Sequence, residues 1–442
     1  MRSNGRRKMK HLSRHTTRTG VALLLFSLFS SSTTAVEQPQ KVDAALAVTR
    51  QAYVYLHEHP ELGKKEFKAH DYLVAQLAAL GLDDIRMVSA LPTAIVAILD
   101  TGIPGPTIAF RAEMDARPLE LGVDEPESHN PRSLVSGIMH NCGHDAHAAI
   151  LLGLAAYLTQ NAAFHRGKIV FIFQPAEEVA GGADDIVRDG ILERLGVQAI
   201  FALHVAPSMP VGTLAVASGP SLAGSNYFKL KLKGRGSHAA APQEGDDIPL
   251  IATRFVQELD YFPARKLDLS TRPAVVSVTR IQTGSAASNI LPSEAEISGT
   301  VRTFDDIDVA PNGSQSLAQS LRGLVDRLAQ SYGISYEWEI RKGAPPTIND
   351  PKIFEKILPD LEKRWIGKID TSQHRSMFAE DFSYYTEIVP SLYFSIGIEK
   401  GDSGKKSLHT VDFTLAKDAL PAGVTLLADI ATIAGQAISP AE

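Results

Sequence analysis

Residues 139–149 read MHNCGHDAHAA, and they hold Cys142, the only cysteine among the 442 residues, with three histidines, His140, His144 and His147, around it. A single cysteine has no intrachain disulfide partner, and a lone cysteine is most often a small buried hydrophobe. Here His144 lies two residues on, and the neighbours are Gly143 and polar residues, not an apolar run. Thiolate and imidazole are the ligands of zinc-like cations, so the segment reads as part of a metal site in preference to a buried thiol.

A metal site needs more donors, and the chain supplies them after apolar runs. KIVFIFQ (168–174) is β-branched and aromatic, and PAEEVAGGADDIVRDG (175–190) follows with Glu177 and Glu178. Adjacent carboxylates raise one another's pKa unless a cation or separate roles divide them. A solvated acidic turn is the alternative, and the histidine–cysteine cluster upstream argues against it. AIFALHV (199–205) carries His204 near its end, TIAFRAEMD (107–115) ends in Glu113 and Asp115, and SLYFSIGI (391–398) precedes LHTVDF (408–413) with His409. Ligands of an open α/β sheet bind beyond the carboxyl ends of its strands. These four strands, and a fifth counted for the histidine–cysteine segment, each deliver Asp, Glu, His or Cys there and predict one shared site.

Helical patterns at AHDYLVAQLAAL (69–80) and AILLGLAAYL (149–158) alternate with these strands, which predicts an α/β fold with a mostly parallel sheet covered by helices. From about residue 223 the order changes to strand NYFKLKLKG, helix IPLIATRFVQEL, strands AVVSVTRIQ and AEISGTVRTF, helix SQSLAQSLRGLVDRLAQS and strand ISYEWEIRK. This β-α-β-β-α-β order is the ferredoxin-like split unit. GAPPTIND (343–350) reads as a linker back. The expected division is a catalytic domain of residues 36–222 and 343–442 with an inserted α+β unit at 223–342.

RAEMDARPLE (111–120), GIMHNCGHDAHAAILLGLA (137–155), FIFQPAEEVAGGADDIVRDG (171–190), ALHVAP (202–207), GRGSHAAAPQEGDDIPLIA (234–252), NILPSEAEISGTVRTF (289–304), MFAEDFSYY (377–385) and LHTVDF together resemble the aminoacylase/carboxypeptidase metallohydrolases. The nearest branch is the N-acyl-amino-acid amidohydrolases, which includes hippurate and indole-acetyl-amino-acid hydrolases. The resemblance starts at LHEHPELGKKEF (56–67) and runs in order through LHTVDF. It implies a zinc-peptidase-like catalytic domain and two divalent metal ions per subunit, zinc or manganese, held by Cys142, His144, Glu178, His204 and His409. Glu177 is then the general base, and Asp115 orients a ligand imidazole. Two positions depart from the family pattern: Glu113 stands where Asp is more usual, and Arg117 where Leu is.

The resemblance also implies that the 223–342 unit is a lid and dimerisation domain whose His238 reaches a catalytic site, commonly the partner subunit's, to stabilise the oxyanion. Without it, a Gly-flanked histidine after a strand reads equally well as a turn. Asn289 and Arg302 are candidate substrate-binding residues; Arg offers a carboxylate bidentate geometry, though each could be structural in the lid sheet.

The chemistry stands apart from the family name. Amide hydrolysis needs a nucleophile stronger than water and an oxyanion stabiliser, which a metal pair with a carboxylate base provides. The expected reaction is hydrolysis of N-acyl amino acids or small peptide-like conjugates. The alternatives are an exported dipeptidase or carboxypeptidase of the same family and a non-catalytic small-molecule binding module, against which Glu177 and the full ligand set argue. No G-x-S-x-G elbow and no H-x-E…P-C-x-x-C pattern is present.

A net charge of −6 leaves no electrostatic footprint for nucleic acid. Residues 2–18 are rich in Lys and Arg, VALLLFSLF (21–29) is apolar, and SSSTTA ends in small residues. That order reads as a signal peptide, residues 1–35, cleaved after Ala35. The apolar run is short for a bilayer, an uncleaved anchor being the alternative, so the mature chain is expected in the periplasm or secreted, without stable membrane insertion.

Overall fold

A computed structural model describes residues 42–439, apart from 180, 285–286, 311–314 and 373–374; the segment read as a signal peptide lies outside the described residues. An eight-stranded sheet runs in the order 85–88, 91–100, 168–174, 107–113, 199–210, 391–399, 214–215, 369–370. Its four central strands, Lys168–Gln174, Thr107–Glu113, Ala199–Pro210 and Ser391–Glu399, are mutually parallel. Their apolar residues are nearly continuous because both faces are covered. Ile108, Phe110, Phe171 and Phe173 face one core, while Ala109, Val170 and Ile172 face the other, against Ile186 and Ile191.

The helix His144–Gln160 is buried from His144 through Leu158, as expected of a helix apolar all round. It packs against the helices Val42–Glu58 and Ala419–Ala437. Gly153 makes the first contact possible, since a Cβ there would stand 2.0 Å from Thr49 Oγ1. Ala419–Ala437 is apolar and long enough to cross a membrane, but its Leu420, Val424, Leu427 and Ile430 are buried in the core.

Residues 224–342 form a separate four-stranded antiparallel sheet, ordered 274–283, 294–303, 224–233, 335–342. The helices Ile248–Lys266 and Leu317–Tyr332 cover it, with Leu230, Phe255, Leu259, Leu321 and Val325 in a core of its own. This is the ferredoxin-like order that the sequence predicts. The second helix starts at Leu317, where Ser316 and Gln319 close a capping box; Ser314, where the sequence reading begins it, lies outside the described residues. The expected linker is partly ordered: Thr347–Asn349 pairs with Gly219–Leu222, and the buried Asn349 donates to Ala217 O and accepts from the Tyr393 N–H.

Two expectations about strand ends need correction. The strand with His204 continues to Pro210, past its neighbour 107–113, because it goes on pairing with 391–399. Cys142 and His144 do not come from a strand of the main sheet. The helix extends back to His144 with Gly143 as its N-cap, so both donors arrive at a helix N-terminus.

Candidate metal centre

Gly143 sets the geometry of the Cys-Gly-His turn. Its φ is +88°, and a Cβ would stand 2.5 Å from Val205 Cγ2, so only glycine lets Cys142 and His144 flank the turn beside the His204 strand. Of the four non-glycine left-handed residues among those described, two lie at the donors: Ala176 (φ +61°), just before Glu177, and His409 itself (φ +64°). Non-glycine residues persist in this region only where their surroundings over-determine them. Glu66 accepts the Ala176 N–H at 2.9 Å, and the His409 N–H donates to Asn141 O at 2.7 Å.

The five expected ligands come together. Donor atoms of Cys142, His144 and His204 lie within 4.8 Å of one another, as do those of Cys142, Glu178 and His409, and those of His144, Glu177 and Glu178. Each inner imidazole uses Nδ1 outward, His144 on Asp115 O at 2.9 Å and His204 on Val205 O at 2.8 Å. That leaves the Nε2 lone pairs for the centre. His204 Nε2 lies 3.5 Å and His409 Nε2 3.2 Å from Cys142 Sγ. His144 Nε2 is buried without a hydrogen-bond partner, a costly state that a cation would relieve, and the buried Glu178 Oε1 has only His409 Nε2 near it, at 3.3 Å. Burial pushes the Cys142 thiol up to about 12, and a coordinated metal reverses that logic. The donor set of sulfur, imidazole and carboxylate fits a divalent metal.

His147 is different, because both its ring nitrogens are engaged. Nδ1 donates to Glu113 Oε2 at 2.8 Å, and Nε2 accepts the Val205 N–H at 3.0 Å. It supports the strand that carries His204 and has no lone pair left to give. His140 is also buried, and burial holds it down at about 4.

The adjacent glutamates are split. Burial first, then the carboxylates of Glu380 and Asp381, push Glu177 well above the usual carboxylate range. Against the upward push of burial, contact with His409 and the charges of His144, His409 and Arg117 hold Glu178 down at about 2. One member is thus suited to exchange a proton and the other to stay an anion. Asp115 acts on both, its carboxylate accepting the backbone N–H of Glu177 at 3.1 Å and of Glu178 at 3.0 Å. It meets the His144 imidazole chiefly through its carbonyl, the carboxylate standing 3.5 Å away.

His238, Asn289 and Arg302, expected to act from the 223–342 unit, contribute no atom to these donor groups. His238 is exposed on a two-residue strand paired with Ile290–Leu291, beside an open cavity of about 760 Å³ lined by residues of the 224–342 unit. Its Nδ1 accepts the Ala240 N–H at 3.1 Å, which leaves Nε2–H as an outward donor. Asn289 braces this loop through its carbonyl, which accepts the Ala239 N–H at 2.9 Å. Arg302 lies in mid-sheet, opposite Ser225 and Val275.

The sequence reading missed the supports beneath the site. Arg111 is fully buried, pairs with Glu113, Glu380 and Asp381, and donates from Nε to Gln174 at 2.8 Å. The signal was MFAEDFSYY, whose Glu380 and Asp381 also flank Glu177. His57 ties the first helix to the site, with Nδ1 2.7 Å from Asp145 Oδ2 and Nε2 2.9 Å from Glu125 Oε1. Burial alone would lower its pKa, but these two carboxylates raise it to about 10.

Residues 109–432 match the family model described as peptidase family M20/M25/M40. The chain is 34% identical over 378 residues to an N-acetylcysteine deacetylase of Bacillus subtilis, covering 86% of this chain and 94% of that one. It is 33% identical to a thermostable carboxypeptidase of Saccharolobus solfataricus, over 83% of this chain and 90% of the relative. Among solved structures it is similar to a dinuclear metal-binding peptidase of the M20 family from Bacillus subtilis, with TM-score 0.76 and 31% identity over 89% of this chain and 99% of the other.

Proposed function

The chain belongs to peptidase family M20/M25/M40 and is a metal-dependent amide hydrolase, and from that premise we propose that its substrates are N-acyl amino acids or small peptide-like conjugates. The observation that carries this is the divided pair, Glu177 beside Glu380 and Asp381 and Glu178 beside His409 and Arg117, inside a ring of metal donors. When bound, divalent metal supplies Lewis acidity that acidifies water and polarises the scissile carbonyl. Cys142, His144, Glu178, His204 and His409 hold it. Glu177 takes the proton from the attacking water and returns it to the leaving amine. Asp115 fixes the backbone of the pair, and Arg111 anchors Glu380 and Asp381 beside the base.

Two ions per subunit, zinc or manganese, are part of this reading. So is a homodimer formed through the 223–342 unit, in which His238 offers its Nε2–H to the oxyanion in the partner subunit's site, while Asn289 and Arg302 bind the substrate's carboxylate or carbonyl. The basic, apolar and small-residue order of the N-terminus supports export to the periplasm or beyond.

The test is amine release by the purified chain, loaded with zinc or manganese, from N-acetyl, N-benzoyl and indole-acetyl amino acids and from dipeptides. Hydrolysis of the acyl amino acids, lost on chelation and restored by metal, is the expected result. Turnover confined to peptides moves the reading to a dipeptidase or carboxypeptidase. Full activity in a verified metal-free sample overturns the mechanism.

A further inference from the structure

Arg117 is a charge inside the donor ring that the mechanism does not use. It lies on the two-residue strand Arg117–Pro118, in register with Met139, three residues before Cys142. Its Nη1 is ion-paired to Glu178 Oε2 and stands 3.4 Å from His409 Nε2. Glu178 and His409 are two of the three donors of the outer group, whose third member is Cys142. The inner group of Cys142, His144 and His204 is more buried, and neither of its histidines contacts a described arginine or lysine.

We propose that Arg117 is a resident counter-cation of the outer metal position, so that the two positions fill unequally: the inner one first, the outer one only when the guanidinium is expelled from Glu178. This rests on the metal-centre reading above. The physical basis is that the guanidinium occupies Glu178 Oε2 and stands against His409 Nε2, so that a metal ion reaching these two residues meets a cation already seated between them, and two cations close together repel. Arg117 is about one-third exposed, which leaves its flexible stem room to swing into solvent once displaced. The resemblance puts Leu at this position, which would present no such competitor.

The test is calorimetric titration of the metal-free full chain with Zn²⁺ and, separately, Mn²⁺, for the natural protein and for Arg117→Leu, Arg117→Gln and Arg117→Lys. The natural protein is expected to bind one ion tightly and a second more weakly. Loss of a charge-assisted hydrogen bond corresponds to a second step about 10- to 100-fold tighter in the Leu and Gln variants, with the first step nearly unchanged. The Lys variant, which keeps the charge, is expected to retain a weak second step. Neutral variants with an unaltered second step overturn the proposal, and so does a Lys variant that tightens as much as the Leu variant. Absence of any binding to the natural protein overturns the metal centre itself, a result distinguishable from either.

Discussion

Glu177→Gln separates what this residue does for chemistry from what it costs the fold. Gln keeps the shape but cannot accept the proton, and a positioned general base contributes roughly 10²–10⁴ in rate, or about 3–5 kcal/mol of transition-state stabilisation. The same substitution removes an anion that shares its site with Glu380 and Asp381, carboxylate oxygens of all three lying within 4.8 Å. One such like-charge pair at that separation and an effective dielectric of 20 costs about 3 kcal/mol. Arg111 offsets part of this through its ion pairs with Glu380 and Asp381, so a net gain of about 1–3 kcal/mol is expected for the metal-free protein.

The sign follows from linkage. Glu177's pKa is raised in the folded state, so its cost is absent below its ordinary 4.5 and grows as the pH rises towards the folded value. The advantage of Gln should therefore be missing at pH 4 and present at pH 7. Denaturant unfolding of the metal-free proteins at the two pH values, with turnover of the metal-loaded proteins at pH 7, measures both effects. A variant that is less stable at pH 7 in the metal-free state, or that turns over within threefold of the natural protein, refutes the reasoning.

Glu178→Gln and Cys142→Ser remove donors and not the base, so each should lower metal content, with affinity at least ~10-fold weaker, as metal analysis after dialysis would show. His238→Ala should cost about 10²–10³ in kcat with metal retained. Under conditions of demonstrated subunit exchange, mixing it with Glu177→Gln should restore part of the activity if His238 serves the partner's site, and an inactive mixture assigns it elsewhere. His57→Gln strands Asp145 and Glu125 in the interior and should destabilise the protein by ~3–5 kcal/mol. Because His57 is raised from 6.5 to about 10, its contribution is complete below about pH 6.5 and fades as the pH approaches 10. The stability gap between natural protein and variant should narrow over that window in denaturant titrations.

The donors were legible in the sequence because their chemistry is rare: a chain with one cysteine, set two residues from a histidine, leaves few other uses for it. The strands that deliver Glu178, His204 and His409 were legible for a second reason, since runs such as KIVFIFQ carry both faces of a covered sheet. What separates His144 from His147 was legible only through the family resemblance and not from the residues themselves. Both lie on the same helix three residues apart, and the choice is made by Glu113 and the Val205 N–H, which take both nitrogens of His147. Ion networks hide for a similar reason. Arg111, Glu380 and Asp381 are 269 and 270 residues apart in the chain, and singly each resembles a surface charge; only burial turns them into the frame that holds the base. The same holds for Arg117, whose departure from the usual Leu was visible but whose meaning depended on where Glu178 and His409 fall in space. Residue type thus discloses a metal centre, while the order in which its positions fill is set by charges that only the fold brings beside it.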